Sequence, residues 1–367
     1  MKILSLELKN FRNYNNQTVN FSDGINVLTG KNAQGKTNLL DAVFLCSIGK
    51  SPRTNKDKEL IMWNKELSKV LLNLNKKSGN KKIEIYISSK INKTIKINSM
   101  PIKRMGELMG EFNSIYFSPD ELKLVKESPD QRRRFMDIDL CQFSKTYFYT
   151  LNNYNKILQQ RNKLLKSTKS AADICDSIEI WNEQLAKHAS FIIIKRIELI
   201  NKLKIYANEI LLYLTDNKEN LQLEYSGFYL PEQEELKKLL LQKYKETLEK
   251  DILLRYTTIG PHKDDIKIIV NNIDIRHYGS QGQQRTCALA LKLAELEVFN
   301  STIGEYPVLL LDDVLSELDS DRQLKLLNRV KNVQTLITCT GFNYQIPHTQ
   351  FEIVNGAINK ITKFNNL

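Results

Sequence analysis

The chain has 367 residues, 41% hydrophobic and 26% charged, the balance of a soluble globular protein long enough for two domains and a sizeable core. Lys and Arg outnumber Asp and Glu by 54 to 42, a net charge of +12, which points to an acidic partner, nucleic acid before membrane. No apolar run approaches the ~20 residues of a spanning helix, and the start, Met1-Lys2-Ile3-Leu4-Ser5, leads into a strand rather than a signal peptide. Five scattered cysteines (Cys46, Cys141, Cys175, Cys287, Cys339) form no C-x-x-C pair. They read as reduced and mostly buried thiols, so a reducing, cytoplasmic compartment is expected.

In chain order, Ile3, Ser5 and Glu7 alternate with Leu4, Leu6 and Leu8, the pattern of an edge-type strand with one buried face. Asn10 to Tyr14 turn it, Gln17 to Phe21 return, and Ser22-Asp23-Gly24 leads into a short buried strand, Ile25 to Leu28. Gly30-Lys31-Asn32-Ala33-Gln34-Gly35-Lys36-Thr37 follows and matches G-x-x-x-x-G-K-[ST]. A helix from Asn38 to Leu45 comes next. Residues 69–102 read as an antiparallel meander with a basic rim (Lys76, Lys77, Lys81, Lys82), and Ser114 to Phe117 as another strand. Ser118-Pro119 and Ser128-Pro129 each carry helix-start chemistry, a capping serine before a proline at the first helical position. From about 130 to 254 the pattern turns helical. Leu185, Ala189, Ile192, Arg196, Leu199, Leu203, Tyr206 and Ile210 form a heptad-type seam, with Tyr154 to Leu165 as antiparallel partner. A helix of ~30 residues reaches only about 45 Å, so a compact arm is expected rather than a long coiled coil. Pro231 opens one more helix, Glu232 to Lys250. Then strands resume at Asp265 to Val270, Val308 to Asp312 and Gln334 to Thr338, the last core strand, with a terminal hairpin from Gln350 to Lys363.

A strand, a glycine loop and a new helix make a phosphate cradle. Glycines remove the Cβ atoms that block a close approach, and the helix start offers free N–H groups and the positive end of its dipole. Lys36 would reach the β- and γ-phosphates and Thr37 would hold Mg²⁺. Val308-Leu309-Leu310-Leu311-Asp312-Asp313 has the form of a Walker B strand. Asp312 would hold Mg²⁺ through water, and Asp313 could orient or deprotonate an attacking water. Ser280-Gln281-Gly282-Gln283 at a helix start forms a second anion site. Because the P-loop already has its own cradle, this site is of most use to another subunit, which suggests a head-to-head dimer with ATP sandwiched between two chains. A simple capped helix is the plainer alternative. Arg12 could reach the nucleotide or lie on the surface.

These stretches together resemble the ABC-type ATPase heads of the SMC and recombination-repair class, and within it the RecF family of bacterial recombination mediators. The likeness is carried by Leu8 to Tyr14, Gly30 to Asn38, Phe117 to Asp120 with Arg132-Arg133-Arg134-Phe135, Gly260 to Asp265, Tyr278 to Arg285, and Leu309 to Asp319. The fold class implied is α/β: an ABC-type P-loop ATPase head (mixed sheet plus antiparallel meander) from residues 1–129 and 255–367, interrupted by a helical arm, 130–254. Gly30 to Asn38, Arg12, Ser280, Gly282 and Gln283 then bind ATP. Thr37 and Asp312 hold Mg²⁺, and Lys36, Ser280 and Asp313 carry the chemistry. Ser316 to Asp319 resembles the D-loop that crosses the dimer interface.

Four departures from the wider ABC pattern stand out. Gln281 replaces the first signature glycine, and Asp313 replaces the usual glutamate. No histidine lies just after Thr338, so Thr338 or Thr340 could substitute. No glutamine occupies the Q-loop place near Ser118. The first three are usual in the RecF family and fit slow, timer-like hydrolysis. The resemblance further implies an ATP-dependent homodimer on double-stranded DNA near single-strand gap junctions. There it would act with RecO and RecR to load a recombinase, in DNA repair and replication. Candidate DNA contacts are the meander lysines, Lys103 with Arg104, and Arg132, Arg133 and Arg134, although the three arginines could equally brace the arm. A transporter ATPase subunit and a scaffold that binds ATP without turnover are the competing readings. The basic charge and the arm weigh against the first, and the Asp312-Asp313 pair against the second.

Overall fold

The computed structural model describes residues 1–167 and 171–364, apart from the side chains at 122, 123 and 171–176; the side chain of Cys175 therefore lies outside what is described, while Cys46, Cys141, Cys287 and Cys339 are free and buried. The head opens with β1 (Lys2–Phe11) and β2 (Tyr14–Asn20), an antiparallel hairpin that pairs Leu6 with Val19. β3 (Ile25–Thr29) feeds the glycine loop and α1 (Lys36–Ile48). The meander is β4 (Leu67–Lys76), β5 (Gly79–Ser88), β6 (Thr94–Ile97) and the two-residue β7 (Met100–Pro101). It joins the first hairpin in one antiparallel sheet of order β2-β1-β4-β5-β6-β7. β1 is therefore an interior strand, not an edge, because β4 pairs along its second side. A register shift between Ile3 and Ser5 also changes the phase of the alternation. Ile3, Leu6 and Leu8 face inward while Leu4 faces water.

β8 (Ser114–Phe117) starts the second layer. The helix expected from Ser118 is a 3-10 turn, Pro119–Leu122, that runs into the one-turn α2 (Lys123–Lys126). α3 (Pro129–Phe143) and α4 (Lys145–Leu165) follow, then α5 (Ala171–Leu214). At 44 residues α5 spans about 66 Å, longer than its sequence pattern suggested. Its seam is wider than a heptad stripe as well: Ala186, Ile193, Ile200, Ala207 and Leu211 are buried beside Leu185, Ala189, Ile192, Leu199, Leu203 and Ile210. One stretch packs on α4, and another returns to the head.

The segment expected to be wholly helical also holds a strand, β9 (Leu221–Ser226), before α6 (Gln233–Glu246) and α7 (Leu248–Leu254). β9 pairs antiparallel with β10 (Asp265–Val270), which pairs with β11 (Ile273–Asp274) in a separate three-stranded sheet. A cut at 254/255 would part β9 from its partner.

The chain then runs through α8 (Ile275–Tyr278), α9 (Gln281–Ile303), β12 (Val308–Asp312), α10 (Ser320–Val330), β13 (Thr335–Cys339), β14 (His348–Val354) and β15 (Ala357–Phe364). The core sheet has the order β15-β14-β3-β13-β12-β8, parallel except for β15. Its strands β3, β8, β12 and β13 are buried throughout. Both faces are covered, which is why they read as unbroken apolar runs. β13 is not the last core strand: β14 pairs with β3 on its other side, so the terminal hairpin belongs to this sheet. α1 packs between the two large sheets, touching β4 and β5 on one side and β8, β12 and β13 on the other. Its residues Leu39 to Ser47 are all buried, as an element enclosed on both sides must be. Among the described residues no helix is long and apolar enough to cross a membrane.

Candidate nucleotide site

The loop between β3 and α1 is curled by three positive φ angles, at Gly30 (148°), Ala33 (64°) and Gly35 (111°). A Cβ on Gly30 would sit 2.4 Å from the Ile353 carbonyl oxygen of β14, and one on Gly35 would meet the Asn13 amide at 2.6 Å. Glycine is thus required at both places by the neighbours as well as by the phosphate. The Lys36 ammonium folds back on its own loop, donating to the carbonyls of Gly30 at 2.5 Å and Lys31 at 3.0 Å. Lys31, Asn32 and Ala33 are exposed at the loop tip.

The turn between β1 and β2 holds this loop from the other side. Asn13 Nδ2 donates to the Gln34 carbonyl at 3.0 Å, Asn38 Nδ2 donates to Asn13 Oδ1 at 2.9 Å, and the buried Tyr14 hydroxyl donates to the Gly35 carbonyl at 3.0 Å. Sequence reasoning gave neither residue a role, although both lie in a stretch it singled out. Arg12 has a different task. It donates to the Glu59 carbonyl at 2.8 Å and faces Asp41 of α1 at 3.4 Å. Burial pushes the Asp41 carboxyl up, and bonds from Ser51 and Arg12 work against that. Among the described residues Arg12 shares no hydrogen bond with the P-loop. A second guanidinium, Arg53, reaches the first turn of α1 and donates to Asn38 Oδ1 at 3.0 Å.

Asp312 at the end of β12 is where the motifs meet. Its Oδ1 accepts from the Thr37 hydroxyl at 2.8 Å and from the Thr338 hydroxyl at 2.7 Å; its Oδ2 accepts from the Tyr116 hydroxyl at 2.8 Å. Burial, and after it the Asp312 charge, push the Tyr116 phenol well up, so it stays a donor. Thr338 also accepts from the Asp313 backbone N–H at 2.9 Å. That contact fixes Asp313 in a left-handed conformation (φ 55°), with its carboxylate exposed. Mg²⁺ fits here. A threonine hydroxyl and a carboxylate oxygen lie 2.8 Å apart at a helix N-terminus, hard oxygen donors of the kind Mg²⁺ takes alongside substrate phosphates.

Ser280 caps α9. Its hydroxyl accepts from the Gln283 N–H at 3.2 Å, and its N–H donates to Gln283 Oε1 at 3.0 Å, a reciprocal capping box. Gln283 also donates to Glu219 at 2.9 Å. Ser280, Gln281 and Gly282 are exposed, and a Cβ on Gly282 would touch nothing closer than the Ser280 hydroxyl at 4.0 Å. Among the described residues this group and the P-loop share no hydrogen bond. A glutamine fills the first-glycine place without strain because it is simply the first helical residue.

The DNA candidates divide. Arg132 is buried and makes a forked pair with Asp265 at 2.6 and 2.9 Å, with further bonds to the carbonyls of Leu124 and Glu127. It braces α3 against β10 and is not available to a phosphate, which corrects the expectation for that residue. Arg133 is tied to Asp130 and to the Asp264 carbonyl. Arg134 is exposed and donates to the Pro52 carbonyl at 3.5 Å. Lys103 and Arg104 have exposed side chains. The meander lysines are committed locally: Lys76 to the Gly110 carbonyl, Lys77 to the Gly304 carbonyl, Lys81 to Glu111 and Lys82 to Glu84.

Residues 2–348 match the RecF/RecN/SMC N-terminal domain. The chain belongs to the RecF family. The "DNA replication and repair protein RecF" of Clostridium acetobutylicum is 46% identical over 341 residues, 93% of each chain. The one from Clostridium novyi is 43% identical over 365 residues, 98% of this chain and all of that one. A solved structure of the recombination mediator RecF with ATP, described as part of the RecFOR pathway, aligns with a TM-score of 0.89 at 36% identity, over 99% of this chain and 97% of that one. An SMC head bound to the C-terminal winged helix of ScpA aligns at 0.58 with 16% identity, over 100% and 98%. That likeness shows the shared ATPase-head fold alone. RecF-family membership thus places the chain among proteins of DNA replication, repair and recombination.

Proposed function

We propose that this chain binds ATP and Mg²⁺ at Gly30 to Asn38, closes as a head-to-head homodimer on double-stranded DNA near single-strand gaps, and reopens on slow hydrolysis. In this reading it acts in the cytoplasm with RecO and RecR to load a recombinase. The observation that carries it is the convergence of Thr37, Thr338 and Tyr116 on the Asp312 carboxylate beside the P-loop.

Lys36 leaves its two carbonyls to bind the β- and γ-phosphates. Thr37 and, through water, Asp312 hold Mg²⁺, which neutralises phosphate charge. Asp313, fixed by Thr338 and open to solvent, orients the attacking water. Its side chain is one methylene shorter than glutamate, which supports slow turnover. Ser280, Gly282 and Gln283 form an exposed anion site at a helix N-terminus that would complete the partner's γ-phosphate pocket. ATP then favours association because it binds the dimer better than the monomers. DNA contact falls to Arg134, Lys103 and Arg104 among the original candidates, and is salt-dependent.

The test is light scattering without nucleotide, with ADP, and with ATP plus Mg²⁺. A dimer only with ATP supports the sandwich. Ser280→Arg should then bind ATP as a monomer. Normal dimerisation by that variant would refute the sandwich.

A further inference from the structure

One patch of the head carries exposed apolar and basic side chains that the nucleotide chemistry leaves unused. Trp63 is 91% exposed, the most of any large apolar side chain among the described residues. Its loop is nevertheless well anchored: the Met62 N–H donates to the Asn10 carbonyl at 2.8 Å, the Lys65 N–H to the Met62 carbonyl at 3.1 Å, and the Arg12 N–H to the Leu60 carbonyl at 2.8 Å. Ile91, 70% exposed, and Leu67, 49% exposed, lie at the same end of the sheet. Leu67 pairs with Ser88, whose hydroxyl accepts from the Ile91 N–H at 3.4 Å.

The uncompensated charge here is positive. Asp57 is taken by Lys93 at 2.8 Å, Glu59 by Thr54 at 2.5 Å and Lys56 at 3.6 Å, and Glu66 by Lys90 at 2.7 Å. Lys9, Lys58 and Lys65 are exposed and have no acid partner among the described residues. Lys58 and Lys65 bracket Trp63 in its loop, and Lys9 precedes Asn10, whose carbonyl accepts from the Met62 N–H; an exposed indole on a segment with such cations matches nucleic acid that presents an unstacked base. The ring takes the base face and the ammoniums take phosphates. An intact duplex keeps its base faces covered except at an end.

The patch also borders the P-loop. The turn Asn10 to Tyr14 bonds the Trp63 loop on one side and, through Asn13, holds Gln34 and Asn38 on the other. We propose that Trp63, flanked by Lys9, Lys58 and Lys65, is a stacking site for an unpaired base of DNA at a single-strand gap. This inference rests on the DNA-clamp reading above.

The chain has two tryptophans, so Trp181→Phe leaves Trp63 as the one indole reporter. Gapped duplex, intact duplex and single strand are titrated into that full-length protein with ATP and Mg²⁺. The expected result is saturable quenching of Trp63 emission by the gapped and single-stranded probes, and weaker quenching by intact duplex. Trp63→Ala should bind gapped DNA roughly 5- to 100-fold more weakly, with an unchanged melting temperature, and Trp63→Phe should recover most of that loss. Changing Lys9, Lys58 and Lys65 together to Gln should flatten the salt dependence by about two to three units of log–log slope. Binding of gapped DNA without any change in emission, and with equal affinity for Trp63→Ala, overturns the site but leaves the clamp standing. No DNA binding in any nucleotide state overturns both. An emission change that appears only when a protein partner is added makes the patch a protein-docking surface and refutes a base-stacking one.

Discussion

Asp312 is a buried carboxylate that accepts three hydroxyl donors, and each donor comes from a different strand or helix: Tyr116 from β8, Thr37 from α1, Thr338 from β13. The glycine loop and the two acids were legible in the sequence because their spacing is fixed by the shape of a phosphate. Tyr116 was not. In Ser114-Ile115-Tyr116-Phe117 it reads as one more core residue, and only strand order brings its hydroxyl to β12. Tyr116→Phe removes the hydroxyl that donates to Asp312 Oδ2 and loosens the carboxylate. A loss of about 1 kcal/mol should raise the Mg²⁺ concentration for half-maximal ATP binding roughly five-fold, read by nucleotide fluorescence across an Mg²⁺ series. Asp313 differs: its carboxylate is exposed and makes no bond among the described residues. Asp313→Asn should therefore keep ATP affinity and ATP-driven dimerisation while phosphate release falls at least ten-fold. Equal release from the two proteins would remove Asp313 from the reaction. The basic candidates were the least legible, because a run of arginines looks the same whether it faces Asp265 or solvent.

The elements of the arm show the same limit. The seam of α5 was readable from its spacing, including Arg196 at a position where an apolar residue would be usual. What spacing could not show is why an arginine stands there. Its guanidinium is fully buried, makes a forked pair with Asp137 at 2.9 and 3.0 Å, and donates to the Pro261 carbonyl at 2.5 Å. Tyr147 donates to the same Asp137 at 2.6 Å. One side chain thus ties α5 to α3 and to the loop before β10. Arg196→Met should cost about 3–5 kcal/mol, because Asp137 and the Pro261 carbonyl lose their partner. Thermal melting measures it, and pairing the change with Asp137→Asn should restore part of the loss. β9 escaped notice for a different reason. Its alternation, Leu221, Leu223 and Tyr225 against Gln222, Glu224 and Ser226, is short and lies between helices, and its partner β10 is some forty residues further on.

For the molecule as a whole, one loop makes two contributions to acid stability that have opposite signs. His262 accepts from the Tyr154 hydroxyl at 2.6 Å and donates from Nε2 to the Thr257 carbonyl at 3.0 Å. Burial lowers it to about 4, against the raising effect of the Thr257 bond. The unfolded chain takes up that proton first, so the stability His262 contributes is present above pH 6.5 and lost as pH falls toward 4. Burial raises Asp264 to about 6, opposed by Tyr225, Arg196 and Arg133. Its contribution is present below about pH 4 and lost as pH rises through 6. The two nearly cancel. Asp264→Asn removes the second and leaves the first, so urea unfolding should show the variant losing about 2 kcal/mol more than wild type between pH 7.5 and pH 4.5. Equal losses in the two proteins would mean that Asp264 is charged across that range.

At the same scale, the glycine loop near the start of the chain is closed by strands near its finish. β14 lies directly beside β3, the Gly356 N–H donates to the Gln34 carbonyl at 3.0 Å, and the Asn355 N–H donates to Gln34 Oε1 at 2.6 Å. During synthesis the first hairpin, the loop and α1 leave the ribosome early, yet the wall that shapes the loop arrives some three hundred residues later. A nascent chain stalled before residue 348 should therefore hold a folded β1–β2 hairpin with no competent nucleotide pocket. In the proposed reading, ATP capture, and the pairing that depends on it, waits until Asn355 and Gly356 have been made and have closed on Gln34.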